Sequence, residues 1–401
     1  MRNSSLGNIF LPALLYKVMM GWGLGLLFFF YYQQGDTLQY FADARQLAQL
    51  AYRQPLDYFQ VLVGNQPSPV SLVFQHQPRA LFFAKVVSMI NVLTYNNYWV
   101  TSAYLSLLSF LGSWKLANYL SQQFPRLRYA AAVSLLWYPS VAFWGSGVLK
   151  ESLAVAAIMI IVYTVLRLQT DSYDSTTLLR WLLLIVAGWL LWRVKYYYAG
   201  VLFPTLLAGV IAQVVGRHRK KLTIPAFFMG WLALIIVASH LHPVLALDQL
   251  TDVLLYNHDA IVQLSDPANV VHYQALNAHA SSFLVNAPLA VVSGLFRPWV
   301  GDATTVFQWI AGLENTALLL VGIGALINAR RSAVRAADWL WIIATITYVI
   351  VLGGLLAFAS PNFGSLVRYK VAFLPFLVFL CLAGNEYWTR KAIEKVKHRT
   401  R

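Results

Sequence analysis

LPALLYKVMMGWGLGLLFFFYYQQGDTLQYFADARQLAQL, residues 11–50, changes character at one point. Up to Tyr32 the stretch carries a single charge, Lys17; from Gln33 onward it is polar and opens with Gly35 and Asp36. Residues 11–32 suffice to cross about 30 Å of hydrocarbon as one helix. Residues 33–50 do not, and as a helix they set Asp36, Tyr40 and Asp43 at i, i+4 and i+7, along one face. A membrane span that ends on a short helix with two carboxylates is therefore the unit from which the rest of the chain is read.

Composition extends that reading to the whole molecule. Of 401 residues, 59% are apolar and only 11% charged, too little charge to coat a soluble protein of this length. Apolar runs of spanning length recur without two-residue alternation, so the fold class is all-α and polytopic, and a β-barrel is excluded. About ten transmembrane helices are predicted, over residues 11–32, 98–120, 129–144, 149–168, 181–192, 198–215, 225–240, 306–327, 339–359 and 371–382. The first run lacks a small-residue cleavage site and reads as a retained signal-anchor. Cys381, the only cysteine, falls in the last run and excludes an intrachain disulfide.

The whole chain, residues 1–401, reads as one transmembrane domain without internal repeats. Two long extracytoplasmic loops are expected, residues 33–97 and 242–304, each carrying interfacial helices, with a basic cytoplasmic tail over residues 385–401. Pro55, Pro67, Pro69 and Pro78 cut the first loop into short pieces, and residues 79–93 read as a helix lying on the interface. The net charge of +15 fits this topology: about 20 of the 30 Lys and Arg fall on the inner side and about nine of the 15 acids on the outer. The charge is a sorting signal for a multi-pass protein of the cell's inner (cytoplasmic) membrane with both termini cytoplasmic, and nucleic acid is not an expected partner.

Functional candidates are the charges that topology does not explain. Lys150 opens one predicted span, and Arg368 and Lys370 open another, where the helix dipole opposes a cation and a bound anion would favour it. Arg193 and Lys195 sit at a helix C-terminus, which accounts for them without a ligand, and Arg297 lies on an amphipathic piece. Any of these outer cations is also explained by contact with lipid phosphates. Asp36 with Gln39 matches a capping box, which would make it the N-cap of a helix over residues 37–50. Asp43 reads as an exposed helix residue, and Glu151 as a first-turn acid. Glu314 lies inside a span, where an ionisable group is a functional suspect or is neutral and bonded to a neighbouring helix. The scattered outer histidines, including His240 and His242, form no recognised metal spacing. No Walker loop or nucleophile elbow is present.

In this order the residues resemble the GT-C superfamily of membrane glycosyltransferases. GDTLQYFADA, residues 35–44, is similar to the first outer loop of that group, with Asp36 at the catalytic acid. PSVAFWGSGVLKES, residues 139–152, resembles the outer junction that carries a second acid, here Glu151 beside Lys150. NFGSLVRYKVAFLP, residues 362–375, resembles the Arg-Tyr segment that contacts the lipid phosphate, here Arg368 and Tyr369. The chain departs from protein mannosyltransferases in lacking an adjacent acidic pair, and from oligosaccharyltransferases in lacking a large soluble C-terminal segment.

The resemblance implies an inverting enzyme of cell-envelope polysaccharide biosynthesis that moves a sugar from a polyprenyl-phosphate donor to a glycan, lipid or protein acceptor. Asp36 would act as general base, and Tyr40, Lys150, Glu151, Arg297, Arg368, Tyr369 and Lys370 would bind substrate. Tyr40 and residues 196–198 would stack on sugar rings, a role that interfacial belt aromatics explain equally well. It requires no organic cofactor, assigns no metal ligands and admits a divalent metal. Two other classes compete: an O-antigen polymerase or ligase acting on lipid-diphosphate glycans, and a lipid or solute transporter with broken helices near mid-membrane.

Overall fold

Backbone that enters hydrocarbon must satisfy its own hydrogen bonds, and the chain does so with helices. The computed structural model describes residues 6–64, 70–170, 174–242, 245–328 and 336–385. Pro67, Pro69, Arg330, Arg331 and all but the first residue of the expected basic tail lie outside the described residues. Among those described are sixteen α-helices and one isolated antiparallel bridge, Val270 with Asn362.

The helices are α1 (Phe10–Leu26), α2 (Asp36–Arg53), α3 (Pro55–Val63), α4 (Pro78–Thr94), α5 (Tyr98–Gln123), α6 (Arg128–Ala132), α7 (Pro139–Trp144) and α8 (Lys150–Thr170). They continue with α9 (Thr177–His218), α10 (Thr223–Leu241), α11 (Leu247–Gln263), α12 (Ala280–Phe296), α13 (Val306–Asn328), α14 (Ala336–Ala359), α15 (Phe363–Tyr369) and α16 (Leu374–Gly384). Pro55 and Pro78 open α3 and α4, where a missing N–H costs nothing.

Six helical segments are long and apolar enough to cross a membrane, or seven if the bent pair α15–α16 is one span. The protein is a helical polytopic membrane protein, with six or seven candidate spans where ten were expected. Three local causes account for the difference. At 26 residues, α5 is long enough, but its polar face, with Ser102, Ser106, Ser109 and Ser113 buried, dilutes its hydropathy. The predicted third span is broken by a π-helical turn, Val133–Trp137, ahead of Pro139. The predicted fifth and sixth run together as α9, interrupted only at Lys195, whose φ of −148° and ψ of 72° leave the helical region.

The helices pack in two units, Met1–Tyr197 and Tyr198–Arg401. In the first, α5 is sandwiched between α1 and α8, and α2 packs on α4. The α5–α8 approach depends on Gly112: a Cβ there would meet the Ala156 carbonyl oxygen at 2.8 Å. Tyr40, Phe74, Phe83, Val87, Leu105 and Leu153 form the core beneath α2. In the second unit, α14 packs on α12 and α11, and α13 on α16.

Candidate functional site

The start of α2 positions Asp36. Gly35, at φ 122°, is its N-cap, and no side chain caps the helix. Asp36 is therefore the first helical residue, half-buried in the first turn, and not the capping residue that the sequence suggests. A carboxylate there still gains from the helix dipole.

One turn on, Tyr40 is only 2% exposed, its ring against Phe74 and Phe83 with centroids 4.7 and 5.0 Å away. A ring so enclosed presents no open face to a sugar. Lys150 Nζ lies 5.2 Å from its centroid, a cation–π contact that ties the first residue of α8 to α2.

Asp43 corrects the expectation of an exposed residue. It is fully buried and accepts hydrogen bonds from the backbone N–H groups of Val73 and Phe74, each at 2.9 Å. Its carboxylate thus fastens the segment ahead of α4 to α2, and two buried backbone donors satisfied by one charge make a strong structural anchor.

Glu151 is a first-turn acid of α8, as the sequence suggests, and is fully buried. Lys195 Nζ meets its Oε1 at 2.9 Å, with side-chain exposures of 5% for Lys195 and 0% for Glu151. Sequence reasoning set Lys195 aside because the helix dipole explained it. The signal was an acid and a base, each in a region otherwise nearly free of charge, yet no spacing links positions 44 residues apart. Lys195 occupies the break in α9, so the pair fixes the point where that helix is interrupted. The dipeptide Lys150-Glu151 is therefore held on both sides: Lys150 to α2, Glu151 to α9.

The second unit holds the remaining candidates. Arg297 follows α12 and grips Asp302 through one guanidinium edge, Nε donating to Oδ2 at 2.9 Å and Nη2 to Oδ1 at 2.6 Å. This contact, opposed by partial burial, holds the Asp302 carboxyl below its usual range. The guanidinium also lies 4.8 Å from the Phe363 ring centroid.

Lys370 is fully buried and donates to the Arg297 carbonyl at 2.5 Å and to Asn315 Oδ1 at 3.3 Å, with Glu314 in electrostatic reach. Arg368, half-buried, falls in the last turn of the seven-residue α15, its Cζ 5.5 Å from the Tyr369 ring. It does not open a helix as the sequence suggests, so the dipole favours it and the anion argument no longer applies to it. Lys150, in contrast, is the first residue of α8, as expected.

No metal ligand set emerges: among the described residues, no three His, Cys, Asp or Glu side chains gather as a metal group. No protein-family model matches the chain, and searches of curated proteins and of solved structures return no match.

Proposed function

We propose that the chain is a GT-C-type inverting glycosyltransferase that uses a polyprenyl-phosphate sugar, with Asp36 as general base. The observation that carries this reading is the state of Asp36. It stands in the first turn of the helix directly after the first span, half-buried, while Gly35 holds the N-cap position. Lys150, the first residue of α8, ties that helix to the one that bears Asp36.

In this reading Asp36 takes the proton of an acceptor hydroxyl, and the oxygen forms a bond to the anomeric carbon. The bond from that carbon to the phosphate oxygen breaks with its electron pair, and a polyprenyl phosphate leaves. Preorganised cations stabilise the charge that grows on this leaving group. Asp43 has no part in the chemistry, because its oxygens hold Val73 and Phe74. Tyr40 positions Lys150 through its ring face. Arg368 and Tyr369 keep the headgroup role that the resemblance assigns, at an outer membrane face.

The test is a transfer assay with purified full-length protein against a panel of polyprenyl-phosphate and polyprenyl-diphosphate sugars. Transfer from a monophosphate donor with inversion supports the proposal. Transfer only from diphosphate donors favours the polymerase or ligase class instead.

A transporter is the second reading, and one observation favours it. The pair α15–α16 bends by 72°, and the buried Lys370 sits at the break with Asn315 and Glu314 around it. Broken helices bearing buried charge are the usual substrate sites of transporters. Movement of a labelled lipid or solute across sealed vesicles, without formation of a glycosidic bond, would select this reading.

A further inference from the structure

The side of α2 that turns away from the core has a chemistry of its own. Tyr40, Asp43, Ala44, Leu47 and Ala48 are buried, whereas Ala42, Arg45, Gln46 and Gln49 are exposed, so helical spacing sorts them onto different sides. Between the exposed side and Phe29, in the π-helical turn Leu27–Tyr32 that ends the first span, lies an open cleft of about 430 Å³. That volume falls within the roughly 300–1,000 Å³ of small-molecule sites. Phe29, Leu38 and Phe41 make its apolar wall, and Ala42 is too small to fill it.

The two rings are fixed in place. Phe29 and Phe41 both meet Tyr98 edge-on, with centroids 4.9 and 5.1 Å away and interplanar angles of 89° and 77°. Tyr98 is itself held by a 2.9 Å hydrogen bond between its hydroxyl and that of the buried Thr37. The polar groups of the cleft are free to bind. Among the described residues, the side chains of Arg45, Gln46 and Gln49 make no hydrogen bond or ion pair.

This lining selects among ligands. A bare hydrocarbon chain has no use for a guanidinium and two carboxamides. A phosphate monoester, carrying about −1.5 to −2, outweighs the single positive charge of Arg45. A neutral sugar would use the rings and the amides but leave Arg45 idle. A sugar bearing a carboxylate uses all three: its C–H face packs on the phenyl rings, its hydroxyls bond the carboxamides, and its carboxylate meets the guanidinium fork. We infer that the cleft binds an acidic saccharide of the uronate class. Arg45 lies about two and a half helical turns from Asp36, on the opposite side of α2. The cleft is therefore separate from the proposed base, and its assignment does not rest on the transferase reading.

The experiment titrates full-length protein in phosphatidylcholine nanodiscs with trigalacturonate, its methyl ester or oleate. Trigalacturonate is expected to bind, about tenfold more weakly in Arg45→Gln and also more weakly in Gln46→Ala. Arg45→Lys, which keeps the charge, should lose less than Arg45→Gln. Arg53→Gln, a cation on the same helix outside the cleft, should bind as wild type does, and an equal loss in Arg45→Gln and Arg53→Gln would overturn the cleft as the site. The methyl ester binding as tightly as the acid overturns the uronate assignment. Oleate binding that depends on Arg45, without binding of trigalacturonate, overturns the saccharide assignment in favour of an acidic amphiphile. No binding of any probe by wild type overturns the site. Asp36→Asn should bind trigalacturonate as wild type does, so a loss of transfer in that variant leaves the cleft standing, and a failure here leaves Asp36 untouched.

Discussion

A carboxylate in a protein's low-charge regions is defined by what it touches, and the four described above have four different fates. Asp43 holds two backbone N–H groups, Glu151 holds Lys195, Asp302 holds Arg297, and Asp36 stands in a first turn whose cap is a glycine. The last is the one proposed as the base. The Asp302–Arg297 contact gives a pH prediction. The folded-state pKa of Asp302 lies below its ordinary value of 3.8, so the contact stabilises fully above that value and its contribution is lost as pH falls through the folded value. Asp302→Asn should lower stability by about 1 kcal/mol at neutral pH. The deficit should vanish as pH falls through the lowered folded-state value, tracked by melting temperature in detergent. A pH-independent deficit would show that the charge is not responsible.

At the scale of elements, the break in α9 and the bracing of α8 are the features that matter. Desolvating two charges brings little net stability, but removing one partner strands the other in a dry site. Lys195→Met should therefore destabilise by roughly 3–5 kcal/mol. The double variant Lys195→Met with Glu151→Gln should recover much of that loss, as read by a double-mutant cycle on thermal unfolding. Additive losses would contradict the ion pair. Helix positions were legible in the sequence wherever apolar length decided them: α1, α8, α10, α13 and α14 fall within a few residues of the predicted spans. Where a second requirement competed, legibility failed. Four buried serines on α5, of which Ser102 and Ser106 face Gly21 of α1, lower its hydropathy, and a single residue, Lys195, interrupts α9 where it meets a partner far away in sequence. The burial of Asp43 was hidden for the same reason, since its partners lie 30 and 31 residues on.

For the molecule as a whole, charge distribution predicts sidedness. Arg219 precedes α10, which is nearly all exposed within the protein, as a lipid-facing helix is, and Ala268 lies in the expected outer loop beyond α11. In a Cys381→Ser background, Ala268→Cys should react with a membrane-impermeant maleimide in intact cells, and Arg219→Cys only after permeabilisation. Equal reactivity would contradict the assigned sides. The outer surface so defined is where transfer is proposed, and the sequence pointed to it through Asp36 and Lys150, whose first-turn positions need only local signals. The central claim is that Asp36 is the base. Its most direct test compares Asp36→Asn with wild type for sugar transfer from a polyprenyl-phosphate donor and for donor binding in the same preparation. The account predicts a loss of transfer by a factor of 10² or more with donor binding retained; transfer at the wild-type rate would contradict it.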